Sequence, residues 1–145
     1  MPFKRLTDQF WASPQIAIED IAAAATQGVT LIVNNRPDDE EPGQLTSADM
    51  EAAARTAGMD YVYIPVSHAG FSMAQVDAMA DALERAEGPA LGFCRSGTRS
   101  TLLWAMAEAK RGKDTEEIAK AAARGGYNVG AVAGTMEALA AESRG

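Results

Sequence analysis

The sequence predicts an α/β fold, in which a central, mostly parallel sheet carries helices on both faces. Three short apolar runs lie near residues 29–33, 61–66 and 90–93, and Ala-rich stretches with helical spacing separate them. Strands and helices that alternate in this way need right-handed crossovers, which place helices on both faces of the sheet. The length of 145 residues fits a single domain, residues 1–145, with its own core.

The first elements follow from local signals. Residues 3–12 mix apolar and polar side chains and are predicted to form one or two short strands. Ser13 before Pro14 has the pattern of a cap and a first helical turn, and Gly28 is expected to end that helix. The apolar run Val29–Val33 is typical of a buried parallel strand.

The middle of the chain continues the alternation. Residues 34–45 contain two prolines, a glycine and four consecutive acids at 38–41. We expect a solvated loop there, although its acids could repel multiply charged substrates. Thr46 or Ser47 caps the next helix, which ends at Gly58, and the strand Tyr61–Val66 follows.

The remaining predicted elements lie before and after the single cysteine in the sequence. Ser72 and Gln75 form a capping box that opens a helix. The strand Ala90–Phe93 leads directly into Cys94, and an apolar helix covers Leu102–Ala109. Two C-terminal helices are predicted, from Asp114 or Thr115 to about Arg124 and over residues 131–141.

Composition excludes several functions. The chain has 20 acidic and 13 basic residues, a net charge of −7, which argues against nucleic-acid binding. A single cysteine excludes an internal disulfide and a Cys-rich zinc site, and we expect no metal or cofactor. No apolar run is long enough for a membrane span or a signal peptide, so a cytoplasmic location with a reduced thiol is expected.

Three polar segments follow predicted strands, at residues 34–36, 67–68 and 94–100. The carboxyl ends of parallel strands form the usual ligand site of such sheets. The charge also changes sign at Cys94, since residues 1–93 hold five basic and 14 acidic residues and residues 94–145 hold eight and six. An anion site is therefore expected to begin at Cys94.

The loop after the third strand has the properties of a reactive thiolate site. Its residues are Cys94, Arg95, Ser96, Gly97, Thr98, Arg99 and Ser100. A strand-to-helix loop directs backbone N–H groups at an anion, and glycine allows a tight cradle. Arginines and hydroxyl groups can bind oxyanions and favour the thiolate. An inert buried thiol is the alternative, but it does not explain the flanking residues.

Several segments together resemble one known family. They are residues 3–10, 13–15, 33–38, 41–44, 64–66 and 94–100. In this order they are similar to the phosphatase-like domain of beta-lactamase hydrolase-like proteins, over about residues 1–111. The resemblance implies a dual-specificity-phosphatase-like fold. Some members of that family are fused to a persulfide dioxygenase and described as sulfurtransferases, whereas others are described as phosphatases.

The loop length and the missing acid favour sulfur transfer. Four residues separate Cys94 from Arg99, a spacing similar to that of rhodanese-type sulfurtransferases, whereas cysteine phosphatases resemble one another in having five. Dual-specificity phosphatases have an aspartate after the strand that resembles Tyr61–Val66, and this chain has Ser67 and His68 there. Thiosulfate or a small persulfide would then donate sulfur to Cys94, and a thiol would accept it. A phosphatase and a non-catalytic anion-binding or redox-sensing module remain alternatives.

Three outlying residues could extend the site. Arg36 could reach the bound anion or pair with Asp38 or Asp39. His68 could act as a weak acid or contact the substrate, or it could be an ordinary exposed loop residue. Tyr127 could lie over the site, although an ordinary helix connection is favoured there.

A small anionic substrate and a persulfide dioxygenase or another sulfide-oxidising enzyme are the expected partners.

Overall fold

A five-stranded sheet forms the centre of the molecule. The structure is a computed structural model, and it describes residues 3–144. The strands are β1 (Lys4–Arg5), β2 (Phe10–Ser13), β3 (Leu31–Asn34), β4 (Asp60–Tyr63) and β5 (Ala90–Phe93). Their spatial order is β1-β2-β5-β3-β4, with β1 antiparallel to β2 and all other neighbours parallel. The predicted fold class is confirmed.

Helices cover both faces of the sheet. They are α1 (Ile18–Thr26), α2 (Ser47–Thr56), α3 (Met73–Arg85), α4 (Thr98–Lys110), α5 (Thr115–Arg124) and α6 (Ala133–Arg144), with a 3-10 turn at Gly130–Val132. The first two helices pack on one face and the other four on the opposite face. Side chains alternate along each strand, so Ile32 lies in the first core layer while Leu31 and Val33 lie in the second.

Capping signals predicted most helix starts. The Thr46 hydroxyl accepts from the Asp49 N–H, and the Ser72 hydroxyl accepts from the Gln75 N–H. The first helix is the exception, because Ala17 is its N-cap and the Asp20 carboxylate accepts from the Ala17 N–H at 2.8 Å. Ser13 instead ends β2 and pairs with β5, so the predicted Ser13 cap was wrong.

Two element boundaries affect the site. Helix α4 begins at Thr98, four residues earlier than predicted, because Gly97 has a φ of +93° and turns the chain directly into the helix. Strand β4 ends at Tyr63 rather than Val66, yet the Ile64 N–H still donates to the Asn34 carbonyl. Pro65 has no N–H to continue the ladder.

Across residues 3–144, no helix has the length and apolar character to cross a membrane.

Candidate active site

The loops that follow β2, β3 and β5 are bound to one another at one edge of the sheet. The Cys94 N–H donates to the Ser13 carbonyl, and the Asn35 N–H donates to the Phe93 carbonyl at 2.9 Å. The Gln15 N–H donates to the Arg95 carbonyl at 3.2 Å. These bonds fix the Cys94 loop at the carboxyl ends of the strands, where the sequence predicted the site.

Cys94 lies at the bottom of its loop, where its side chain is fully buried. The Gly97 N–H donates to Cys94 Sγ at 3.0 Å. Within the described residues, the backbone N–H groups of Arg95 and Ser96 meet no protein acceptor. The loop also leads into the N-terminus of the 13-residue helix α4, whose dipole favours negative charge. This arrangement can stabilise a thiolate and a bound oxyanion together.

Arg99, on the first turn of α4, is held by a carboxylate. Its Nη1 donates to Glu40 Oε2 at 2.6 Å and its Nη2 donates to Glu40 Oε1 at 2.9 Å. Nη1 also donates to the Val66 carbonyl at 2.6 Å. The Glu40 hydrogen bond is the main cause that raises the pKa of Arg99 above its ordinary value, burial opposes it, and the nearby Cys94 charge adds to it. The guanidinium therefore stays charged and fixed beside the sulfur.

Glu40 is ionised and accepts hydrogen bonds from both Arg99 and Arg36. The hydrogen bond from Arg99 is the largest cause that lowers the pKa of Glu40 to about 2, with burial opposing and Arg36 assisting. Only 16% of its side chain is exposed. The prediction that residues 38–41 form a solvated loop was therefore wrong for Glu40. A carboxylate with this pKa is deprotonated at neutral pH and cannot protonate a leaving group there.

Arg36 donates hydrogen bonds to two acids of the neighbouring loop and to Gln15. Its Nε donates to Glu40 Oε1 at 2.9 Å, Nη2 to Glu41 Oε1 at 2.8 Å and Nη1 to Gln15 Oε1 at 3.0 Å. Its acidic partners are Glu40 and Glu41 and not Asp38 or Asp39, the pairing that the sequence offered as one alternative. Anion binding by Arg36, the other alternative, stays a prediction. The side chain is buried, so these bonds compensate for its lost hydration.

The acidic loop is anchored to the sheet on its other side. The Asp38 N–H donates to the Tyr63 hydroxyl at 2.9 Å, and the Asp38 carboxylate accepts from the Ser47 N–H at 2.8 Å. Asp39 has a φ of +64°, a left-handed conformation that aspartate tolerates better than most residues. The turn brings Glu40 back towards Arg99, so the loop has a fixed shape.

Arg95 extends outward from the same loop. Its side chain is 68% exposed, and its Nε lies 3.0 Å from Glu41 Oε1. Arg95 therefore belongs to the rim of the site, whereas Arg99 belongs to its interior. Substrate binding by Arg95 stays a prediction.

The hydroxyl groups of the loop differ in their hydrogen-bond partners. Ser96 Oγ donates to Thr98 Oγ1 at 3.1 Å and accepts from the Thr98 N–H at 3.3 Å, so the first N–H of α4 has a side-chain acceptor. Ser100 is fully buried, and its Oγ has no hydrogen-bond partner within residues 3–144. A Cβ on Gly92 would lie 3.4 Å from the Ser100 Cβ, so Ser100 lies against β5. Oxyanion binding by these hydroxyls stays a prediction.

Two further residues differ in how far they belong to the site. His68 is exposed on the loop after β4, two residues beyond the carbonyl that binds Arg99, and its substrate contact stays a prediction. Tyr127 reaches the loop, because its hydroxyl donates to the Ser96 carbonyl at 3.2 Å. The sequence favoured an ordinary helix connection at this position, and that interpretation was incomplete because Tyr127 also contacts the Cys94 loop. In the described chain, no three His, Cys, Asp or Glu side chains converge as a metal site would require.

The fold and the Cys94 loop define a phosphatase-like, cysteine-based α/β domain. The chain belongs to the family of the phosphatase-like domain of beta-lactamase hydrolase-like proteins, whose family model matches residues 2–111. This confirms the resemblance on which the sequence analysis relied.

Similar proteins include longer chains and a solved structure. Beta-lactamase hydrolase-like proteins of Agrobacterium fabrum and Xylella fastidiosa are 37% and 30% identical over 120 and 139 residues. These matches cover 80% and 95% of this chain, which spans only 28% and 32% of those relatives. A candidate phosphatase from Neisseria meningitidis has a TM-score of 0.80 and 29% identity, covering 96% of this chain and 99% of its own.

Proposed function

We propose that this protein is a cysteine-dependent phosphatase for monoesters with acidic leaving groups, such as aryl phosphates. One observation carries the proposal: Cys94 Sγ receives the Gly97 N–H at 3.0 Å beside a fixed Arg99, in a loop that opens a long helix. The similarity to phosphatase-like proteins over nearly the whole chain supports it. These similarities support the phosphatase alternative better than the sulfur transfer that the loop length and the missing acid favoured.

The loop provides nucleophile and anion binding for a two-step reaction. The free N–H groups of Arg95 and Ser96, with Arg99, bind the phosphoryl oxygens. The Cys94 thiolate attacks phosphorus, an S–P bond forms, and the P–O ester bond breaks with its electron pair on the aryl oxide. Water then attacks phosphorus, the S–P bond breaks, and phosphate and the thiolate are released.

The surroundings of the loop restrict the leaving group. Glu40 is ionised because its pKa is about 2, so it has no proton to donate. The loop after β4 has Ser67, His68, Ala69 and Gly70 where a carboxylic acid would be needed. An alkoxide would leave slowly without a proton, whereas an aryl oxide is stable enough to depart unassisted.

Hydrolysis rates for a series of aryl phosphates and one alkyl phosphate test this proposal. We expect the rate to fall steeply as the leaving group becomes more basic, and the alkyl ester to react about a thousandfold more slowly than the most acidic aryl ester. Cys94→Ser should abolish all turnover. Equal rates for aryl and alkyl esters would show that a general acid exists, and absence of phosphate release from every ester would refute the function.

Sulfur transfer remains a second candidate because four residues separate Cys94 from Arg99 and because Glu40, the carboxylate bound to Arg99, is ionised. In that reaction the Cys94 thiolate attacks the outer sulfur of thiosulfate, an S–S bond forms, and sulfite leaves with its electron pair. An acceptor thiolate then removes that sulfur and restores Cys94. Intact-mass analysis after thiosulfate treatment would show one added sulfur on the wild type and none on Cys94→Ser.

A further inference from the structure

Tyr127 lies on the segment after α5, beyond the residues that the family model matches, and yet it contacts the Cys94 loop. We propose that Tyr127 is a positioning residue that holds the Gly97 N–H in place for the Cys94 thiolate. The segment after residue 111 is then part of the site. The inference deepens the proposed function and rests on it for its catalytic consequence, but its effect on the thiol can be measured without any substrate.

The Tyr127 phenol lies directly against the loop. Its hydroxyl donates to the Ser96 carbonyl at 3.2 Å. A Cβ on Gly97 would overlap the Tyr127 Oη and lie 2.9 Å from its Cζ, so the phenol occupies the space that any other residue would need. The same Cβ would lie 3.2 Å from the Ser13 carbonyl carbon. The Gly97 peptide is therefore enclosed between the ring and the end of β2.

The backbone that carries Tyr127 is fixed by the end of α5. Gly126 has a φ of +89°, and its N–H donates to the Ala123 carbonyl, while the Tyr127 N–H donates to the Ala122 carbonyl. These two bonds are a Schellman motif, which requires a left-handed residue such as glycine at this point. Tyr127 therefore leaves the helix in one defined direction.

A second set of contacts fixes the segment against the N-terminal strands. A Cβ on Gly125 would overlap the Leu6 Cδ2, so glycine leaves the space that the Leu6 side chain occupies here. Arg124 Nη2 donates to the Leu6 carbonyl at 2.9 Å. The two glycines thus place the aromatic ring over the loop, where it can hold the peptide that bonds to sulfur.

The ring hydroxyl remains a donor at working pH. Burial raises the pKa of Tyr127 above its ordinary value, and the neighbouring Cys94 charge raises it further. A neutral phenol adds no negative charge next to the thiolate. Its effect on Cys94 is therefore transmitted through the Ser96–Gly97 peptide.

Tyr127→Phe separates the hydroxyl from the ring. It keeps the aromatic ring beside Gly97 and removes only the hydroxyl, which bonds to Ser96 and lies nearest to Gly97. We expect alkylation of Cys94 by iodoacetate, an anion small enough for the loop, to slow about threefold to fivefold at pH 6 and to match the wild type at high pH. Tyr127→Ala also removes the packing and should slow alkylation about tenfold or more at pH 6.

Thr115→Val is the matched control. It removes a hydroxyl hydrogen bond between α5 and α6, to Glu137, without touching the Cys94 loop. We expect the dependence of its Cys94 alkylation rate on pH to match the wild type. In a separate measurement, kcat for aryl phosphate hydrolysis should fall about threefold to fivefold in Tyr127→Phe, with little change in KM.

The outcomes separate the inference from the proposed function. A profile for folded Tyr127→Phe that matches the wild type at pH 6 would overturn the inference, as would an equal slowing in Thr115→Val. If the wild type hydrolyses no phosphate ester but Tyr127→Phe still slows alkylation only at low pH, the positioning role stands and the proposed function falls.

Discussion

The loops after β5 and after β3 lie at the same edge of the sheet and carry opposite charges. The first contains Cys94 with two arginines, and the second contains four consecutive acids at residues 38–41. In the structure Glu40 accepts two hydrogen bonds from Arg99, so the acidic loop supplies the carboxylate that orients an arginine of the basic loop. The positive charge beside the thiol is thus held in one orientation before any substrate arrives, which reduces the reorganisation that catalysis requires.

The two ion pairs between these loops differ in environment. Arg99 and Glu40 are each 16% exposed and share two hydrogen bonds, whereas Arg95 and Glu41 are 68% and 46% exposed and share one contact. Water screens the outer pair and leaves it little net value, while breaking the inner pair leaves a poorly solvated charge. The two pairs carry the same formal charges, but substitutions in the inner pair are expected to change activity and stability more than substitutions in the outer pair.

Arg99→Lys should have the largest effect. Lysine keeps the charge but cannot donate in parallel to both Glu40 oxygens and remain in place beside Cys94. We expect kcat/KM for an aryl phosphate to fall about a hundredfold or more. Arg111→Lys is the control, because Arg111 follows the same helix and pairs with two carboxylates, Glu84 and Glu108, outside the site. If Arg99→Lys retains a third of wild-type activity, the fork geometry is unimportant.

Glu40→Gln should change stability in a defined pH range. The pKa of Glu40 is lowered from 4.5 to about 2, so the folded state favours its ionised form. That stabilisation is complete above about pH 5 and is lost as the pH falls towards 2. We expect urea unfolding at pH 7 to show a loss of about 2 kcal/mol in Glu40→Gln, and the difference from the wild type to shrink at pH 3.

Glu51→Gln is the matched control for that measurement. Glu51 pairs with Arg55 on an exposed face of α2, with both side chains about half exposed. Its substitution should change stability by less than about 0.5 kcal/mol at either pH. A difference between Glu40→Gln and the wild type that stays constant from pH 7 to pH 3 would contradict the assigned cause of the pKa.

Local sequence signals predicted much of the fold and the centre of the site. Strand runs, the caps at Thr46 and Ser72, and the thiolate loop depend on neighbours within a few residues, so they can be read along the chain. The same local rule failed at Ser13, because pairing with Phe93 in the sheet outweighs the cap pattern of Ser-Pro.

Long-range partners could not be predicted in this way. Glu40 and Arg99 are 59 residues apart, and a run of acids has the same pattern whether it faces solvent or an arginine. Gly125 and Gly126 signal a helix end, but the approach of that end to Leu6, near the other end of the chain, is a tertiary contact. These features arise from tertiary packing, which local periodicity does not encode.

Arg95→Ala should have the smallest effect, although the sequence assigned Arg95 to substrate binding. Its guanidinium is exposed and bound to Glu41, and Glu41 keeps a second partner in Arg36 after the substitution. We expect kcat/KM for an aryl phosphate to change less than about twofold, with stability unchanged within about 0.5 kcal/mol. A tenfold loss in kcat/KM would mean that Arg95 leaves Glu41 to bind the substrate, and the outer pair would then be a moving part of the site.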